Sequence, residues 1–172
     1  DMQLNSTRNN KLSVSYEEAI FTGLAPDGGL YQIADPPTLR HLFQDFTPDT
    51  DFIGVASIIT SELLGDELGD ATDEICNNAF TFAPKLRALE DGIDLLELYH
   101  GPSHAFKDFG ASFLASSMAH LLGRSGRRAV ILTATSGDTG SAVAQAFKGR
   151  SGIDVVILYP SGRVSPLQEK QL

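Results

Sequence analysis

Several things are scarce in this chain, and each scarcity excludes something. Cysteine occurs once, at Cys76, so no internal disulfide can form. A lone thiol suits a reducing compartment such as the cytoplasm. Basic residues are outnumbered, 13 Lys and Arg against 22 Asp and Glu, giving a net charge of -9 and a pI near 4.7. Nucleic-acid binding needs a clustered basic face, and these cations are scattered, so no nucleic-acid partner is expected. No apolar run approaches the ~18 residues of a membrane span, and none is expected to enter a membrane. The opening DMQLNSTRNNK lacks the apolar core of a secretory signal. The Asn5-Ser6-Thr7 triplet fits a glycosylation sequon, but nothing else suggests secretion. Repeats and low-complexity tracts are absent.

What remains is ordinary globular composition, 42% hydrophobic and 20% charged over 172 residues. The first half reads as helices and loops. Ser15-Tyr16-Glu17-Glu18 predicts a capping box at a helix start, and Gly23 its stop. Ala25-Pro26-Asp27-Gly28-Gly29 is turn chemistry. Phe52 to Leu64 carries apolar residues at helical intervals, and Asp70 to Phe80 predicts a further helix with acidic residues early.

The pattern then changes. Strands are expected near Leu95–Tyr99, Ala129–Thr133 and Val155–Tyr159, all parallel, with helices from Lys107 to Leu122 and from Thr139 to Phe147. Apolar strands alternating with helices imply an open, mainly parallel sheet with helices on both faces. The expected fold is therefore α/β: a mostly helical segment over residues 1–90, then the start of an α/β domain over 91–172. Ser165-Pro166-Leu167-Gln168 reads as another helix start. The chain stops soon after it, which suggests a fragment of a longer protein.

Two stretches have the make-up of a site. His100-Gly101-Pro102-Ser103-His104-Ala105-Phe106-Lys107-Asp108 joins the carboxyl end of a strand to a helix, the place where open α/β sheets bind ligands. A lysine at a helix start is disfavoured as a cation by the dipole, which suits an amine that must react as a nucleophile. The alternative is an exposed loop lysine. Thr133-Ala134-Thr135-Ser136-Gly137-Asp138-Thr139-Gly140 follows a strand and opens a helix, so it offers N–H groups and hydroxyls to an anion. The alternative is a tight turn with Asp138 or Thr139 as N-cap. His100 and His104, separated by Pro102, make no metal set with the single thiol, so no metal is expected. Ser136 lacks the surroundings of a hydrolase elbow. Arg163 and Ser165 flank the last helix start, where a guanidinium fork and helix N–H groups together suit a phosphate.

Taken in order, these motifs resemble those of threonine synthases. Ser6-Thr7-Arg8 is similar to an S-T-R-G opening, with Asn9 in place of the glycine. Gly23 to Tyr31 resembles G-L-A-x-D-G-G-L-Y. His100 to Asp108 resembles H-G-P-T-x-A-F-K-D, with Ser103 in place of threonine. Thr133 to Ala142 resembles T-A-T-S-G-D-T-G-x-A, and Ile157 to Glu169 resembles I-L-Y-P-x-G-[KR]-[IV]-S-P-x-Q-E. The resemblance implies a pyridoxal 5'-phosphate (PLP) enzyme of the tryptophan-synthase-β-like group that converts O-phospho-L-homoserine and water to L-threonine and phosphate. By the same resemblance Lys107 bears PLP as a Schiff base and then shuttles protons. Ser136, Gly137, Asp138, Thr139 and Gly140 are expected to line the cofactor and the substrate carboxylate, and Ser103, Thr135, Arg163 and Ser165 to meet the small-molecule substrate. Relatives hold the PLP phosphate in a glycine-rich loop further along, and no such loop lies between Arg163 and Leu172. A related phospho-lyase or dehydratase, and a catalytically silent fragment, are the competing readings.

Overall fold

The computed structural model describes residues 2–172, which form two compact units, the first running to Glu74 and the second spanning Ile75–Leu172. In chain order the elements are β1 (Leu4–Ser6), β2 (Asn9–Val14), α1 (Tyr16–Thr22), β3 (Tyr31–Ile33), α2 (Phe52–Leu68), α3 (Thr72–Ala79), β4 (Lys85–Glu90), β5 (Ile93–Glu97), α4 (Lys107–Ser125), β6 (Ala129–Ala134), α5 (Asp138–Phe147), β7 (Ile153–Leu158) and α6 (Pro166–Gln171). The class is α/β, as expected.

In the first unit helix outweighs strand. Ser15 accepts the Glu18 N–H, and the Glu18 carboxylate accepts the Ser15 N–H, the capping box read from the sequence. Glu67 of α2 adds a second fastening, accepting the backbone N–H groups of Tyr16 and Glu17 at 2.7 and 3.0 Å. Free N–H groups at a helix start attract such a carboxylate. The sequence reading missed a three-stranded antiparallel sheet, ordered β2-β1-β3. Its strands are short and polar, so they lack the apolar alternation that announces a strand. Asn5 lies in the central strand at 6% exposure, so its sequon is closed to glycosylation in the folded chain.

In the second unit β6 and β7 pair in parallel, Ala129 opposite Ile153 and Ala134 opposite Leu158, as expected. The strand expected at Leu95–Tyr99 needs correction. It occupies Ile93–Glu97 and pairs antiparallel with β4, in a sheet of its own. The cause is local. Asp91-Gly92 lies between the two strands, and Gly92 sits at φ 79°, where a side chain is disfavoured. α5 packs on β6 and β7, and Val130, Leu132, Val156 and Leu158 on the alternate positions are exposed.

α4 and α5 pack on each other. α4 buries Ala115, Met118, Leu121 and Leu122, at helical spacing, and α5 buries Ala142, Ala146 and Phe147. Each large apolar side chain so buried contributes ~1.5–3 kcal/mol. Phe80 stacks on Phe113 at 6.2 Å between ring centroids, and Phe82 meets Phe109 edge-on at 4.9 Å, fixing the first half of α4. Arg150, just past α5, donates to Ser116 Oγ at 3.1 Å and to the Asn78 carbonyl at 3.2 Å. Among the described residues no helix is long and apolar enough to cross a membrane.

Candidate active site

The segment carrying Lys107 is built from its polar anchors. β5 ends at Glu97, a mostly buried carboxylate 2.8 Å from His100 Nε2 and 3.4 Å from Arg87 Nε. The His100 contact above all, then Tyr99 and Arg87, hold the Glu97 carboxyl below its usual range. His100 is thus spoken for by a carboxylate. His104 adopts φ 59°, in the left-handed region that residues with a side chain rarely enter, and its N–H donates to the Gly101 carbonyl at 3.1 Å. Among the described residues no three His, Cys, Asp or Glu side chains group as metal ligands would.

The chain is pulled tight by Asp108. Its Oδ1 accepts the Ser103 hydroxyl at 2.6 Å and its Oδ2 accepts the Ser103 N–H at 2.9 Å. Gly101 lies directly against this carboxylate. A Cβ there would fall 2.7 Å from Asp108 Cβ and 2.9 Å from Cγ. Lys107 follows as the first residue of α4, half-buried, with Nζ 4.8 Å from the centroid of the Phe106 ring. Among the described residues it has no ion-pair partner, so its amine is available for other chemistry.

The second segment is organised by Thr135. Its hydroxyl oxygen accepts the N–H groups of Gly137 and Gly140, both at 3.1 Å, and its proton reaches the Gly137 carbonyl. Thr135 therefore serves the turn itself. Gly140 is buried, and a Cβ there would lie 3.2 Å from Thr135 Cβ and 2.7 Å from Leu172 Cδ2. The N-cap of α5 is Gly137, not Asp138 or Thr139. Ser136, Asp138 and Thr139 are exposed. An open cavity of about 480 Å³ at the carboxyl ends of β6 and β7 is lined by Ala134, Thr135, Ser136, Leu158, Tyr159 and Pro160. This is where open α/β sheets receive ligands. Lys107 does not line that cavity.

The third segment is less suited to an anion than its sequence suggested. Ser165 and Gln168 cap each other, Ser165 Oγ accepting the Gln168 N–H at 3.2 Å and Gln168 Oε1 accepting the Ser165 N–H at 3.0 Å. Pro166 has no N–H. The helix start is left with little to donate, while Arg163, on a turn whose Gly162 sits at φ 71°, is exposed, and its fork has no partner among the described residues. α6 packs on α5, and Gln168 Nε2 would lie 3.4 Å from a Cβ at Gly137, so the third segment reaches the second.

Sequence reasoning missed Asp108 and Glu97 as the anchors of the first segment. The S-x-x-x-x-D spacing from Ser103 to Asp108 was visible, but nothing local says that the carboxylate turns back instead of facing water.

The family model for the N terminus of threonine synthases matches residues 3–80. The threonine synthase of Escherichia coli (strain K12) is 41% identical over 170 residues, which is 98% of this chain and 39% of that protein. The chain belongs to the threonine synthase family. Solved threonine synthases share its fold: the PLP-bound enzyme of Brucella melitensis at TM-score 0.87 and 34% identity, covering 99% of this chain and 38% of that one. The yeast threonine synthase matches at TM-score 0.87 and 31% identity, over 98% of this chain and 37% of that one. The chain thus spans about two fifths of the threonine synthases it matches.

Proposed function

We propose that this chain is the N-terminal part of a cytoplasmic, PLP-dependent threonine synthase that converts O-phospho-L-homoserine and water to L-threonine and phosphate. The observation that carries the reading is Lys107. It is an amine without an ion-pair partner among the described residues, at the first position of α4, on a segment fastened from below by Asp108. The second segment fits the same group: the exposed Ser136, Asp138 and Thr139 stand at a helix start, which favours anionic oxygens. When bound, PLP supplies an electron sink for carbanions at the substrate's α and β carbons.

The chain's own residues have separate tasks. Lys107 would hold the cofactor through Nζ, and its amine, when not so engaged, would take the substrate's α proton and return it. Ser136, Gly137, Asp138, Thr139 and Gly140 form the edge against which cofactor and substrate carboxylate rest. Thr135 keeps that edge in shape from within, and Ser103 does the same for the lysine segment. Arg163 offers a bidentate fork to the substrate phosphate, and Ser165, committed to its cap, holds the helix start beside it.

The test is Lys107→Ala in the full-length protein. The unmutated enzyme is expected to show the absorption band of lysine-bound PLP and to release threonine and phosphate in equal amounts. The variant should lose both the band and turnover. Retention of both by the variant would remove Lys107 from the chemistry. Release of phosphate with a keto acid and ammonia in place of threonine would make the enzyme a phospho-lyase.

A further inference from the structure

The first turn of α4 holds a carboxylate that the proposed chemistry does not use. Asp108 follows Lys107 directly and is fully buried, at 0% exposure. A buried carboxylate is expensive to keep unless its oxygens are satisfied. Here one residue satisfies both, since Ser103 gives its hydroxyl to Oδ1 and its N–H to Oδ2. Asp108 is not a helix cap. The N-cap is Phe106, and no side chain caps α4.

An uncapped first turn is where a helix frays. Lys107 is the first residue of that turn, the least secure place on the helix for a residue whose direction matters. Consecutive side chains on an α-helix are about 100° apart around the axis. Anchoring Asp108 in the interior therefore sets the direction of Lys107 as well. Gly101 packs directly against Asp108, where a Cβ would overlap it. Sharing Ser103 also ties the strained His104 turn to the helix in one closed loop.

We propose that Asp108 is a positioning residue: by gripping Ser103 it fixes the rotation of the first turn of α4 and holds Lys107 in the orientation that PLP attachment requires. The inference rests on the reading of Lys107 as the cofactor lysine. It adds a division of labour between neighbours, one residue reacting and the next aiming it. It also gives Ser103 a definite role as the partner of the clamp. A threonine there would keep both donors, whereas alanine keeps only the N–H.

The experiment compares Ser103→Ala, Ser103→Thr and Asp108→Asn in the full-length protein. Apoprotein is mixed with PLP, the adduct is trapped with borohydride at successive times, and peptide mass locates it. The readout is the rate of attachment at Lys107, measured well below each variant's thermal midpoint. Ser103→Ala is expected to slow attachment about tenfold, with Ser103→Thr restoring it. Asp108→Asn should slow it similarly, because an amide accepts on one oxygen only. If Ser103→Ala or Asp108→Asn is folded and attaches PLP at the unmutated rate, the clamp does not aim the lysine, whatever it adds to thermal stability. Should Asp108→Asn fail to fold, the serine pair decides alone. Absence of any adduct at Lys107 in the unmutated protein would instead remove the cofactor reading, and this proposal with it.

Discussion

Replacing Gly101 with alanine tests how tightly the lysine segment is built. The added Cβ would lie 2.7 Å from Asp108 Cβ and 2.9 Å from Cγ. Carbon atoms rest at ~3.5–4.0 Å, so the overlap approaches 1 Å. The neighbour cannot yield easily, because Asp108 is fully buried and bonded at both oxygens. Overpacking of this kind costs about 1–3 kcal/mol. Displacing a carboxylate from its donors costs about 1.5–3 kcal/mol more if those bonds break outright. The gain from restricting the unfolded chain, ~0.4–1 kcal/mol, offsets only part of this. With the overlap near the upper end of the packing cost and the bonds bent but not broken, a net loss of about 2 kcal/mol in local stability follows. That corresponds to about thirtyfold faster opening of the segment. Amide hydrogen exchange of peptides covering residues 100–110 in the full-length protein reads this directly. The control is Gly123→Ala in α4, where a Cβ meets nothing within 4 Å. There exchange should stay the same or slow slightly, since alanine is the better helix former. Equal exchange in the two variants would refute the packing argument and loosen the case for a rigid lysine segment.

Two further outcomes are expected. Thr135→Val keeps the shape of the side chain but removes the hydroxyl that Gly137 and Gly140 bond to, so the turn before α5 should lose ~1–3 kcal/mol and exchange faster over residues 133–141. Thr135→Ser should stay near the parent, and an unaltered Thr135→Val would show that the turn holds without the hydroxyl. Glu97 has its carboxyl held below the usual range in the folded state, so its contribution is present above the unfolded glutamate value of about 4.3 and is lost as pH falls through the folded value. Glu97→Gln should therefore flatten the acid side of the unfolding profile, followed by circular dichroism from pH 5 downwards, and coincident profiles would contradict the assigned pairing with His100 and Arg87.

By itself the sequence determined the elements whose cause is local. The two capping boxes, at Ser15-Glu18 and Ser165-Gln168, were legible because each needs only four neighbouring residues. The parallel pairing of β6 with β7 followed from apolar runs separated by a helix, which leaves a crossover as the short connection. The placement of the two candidate segments was legible for the same reason: Lys107 and the run from Thr135 to Gly140 both stand at strand-to-helix junctions. Tertiary structure decided the rest. It took β5 out of the expected parallel sheet, because a glycine turn made Lys85–Glu90 its nearest partner. It built a sheet from the polar strands near the N terminus, where pairing and not pattern supplies the stability. It also turned Thr135 and Asp108 inward. A hydroxyl or carboxylate reads the same in sequence whether it meets a ligand or its own backbone. Only the folded chain supplies the donors that choose between the two.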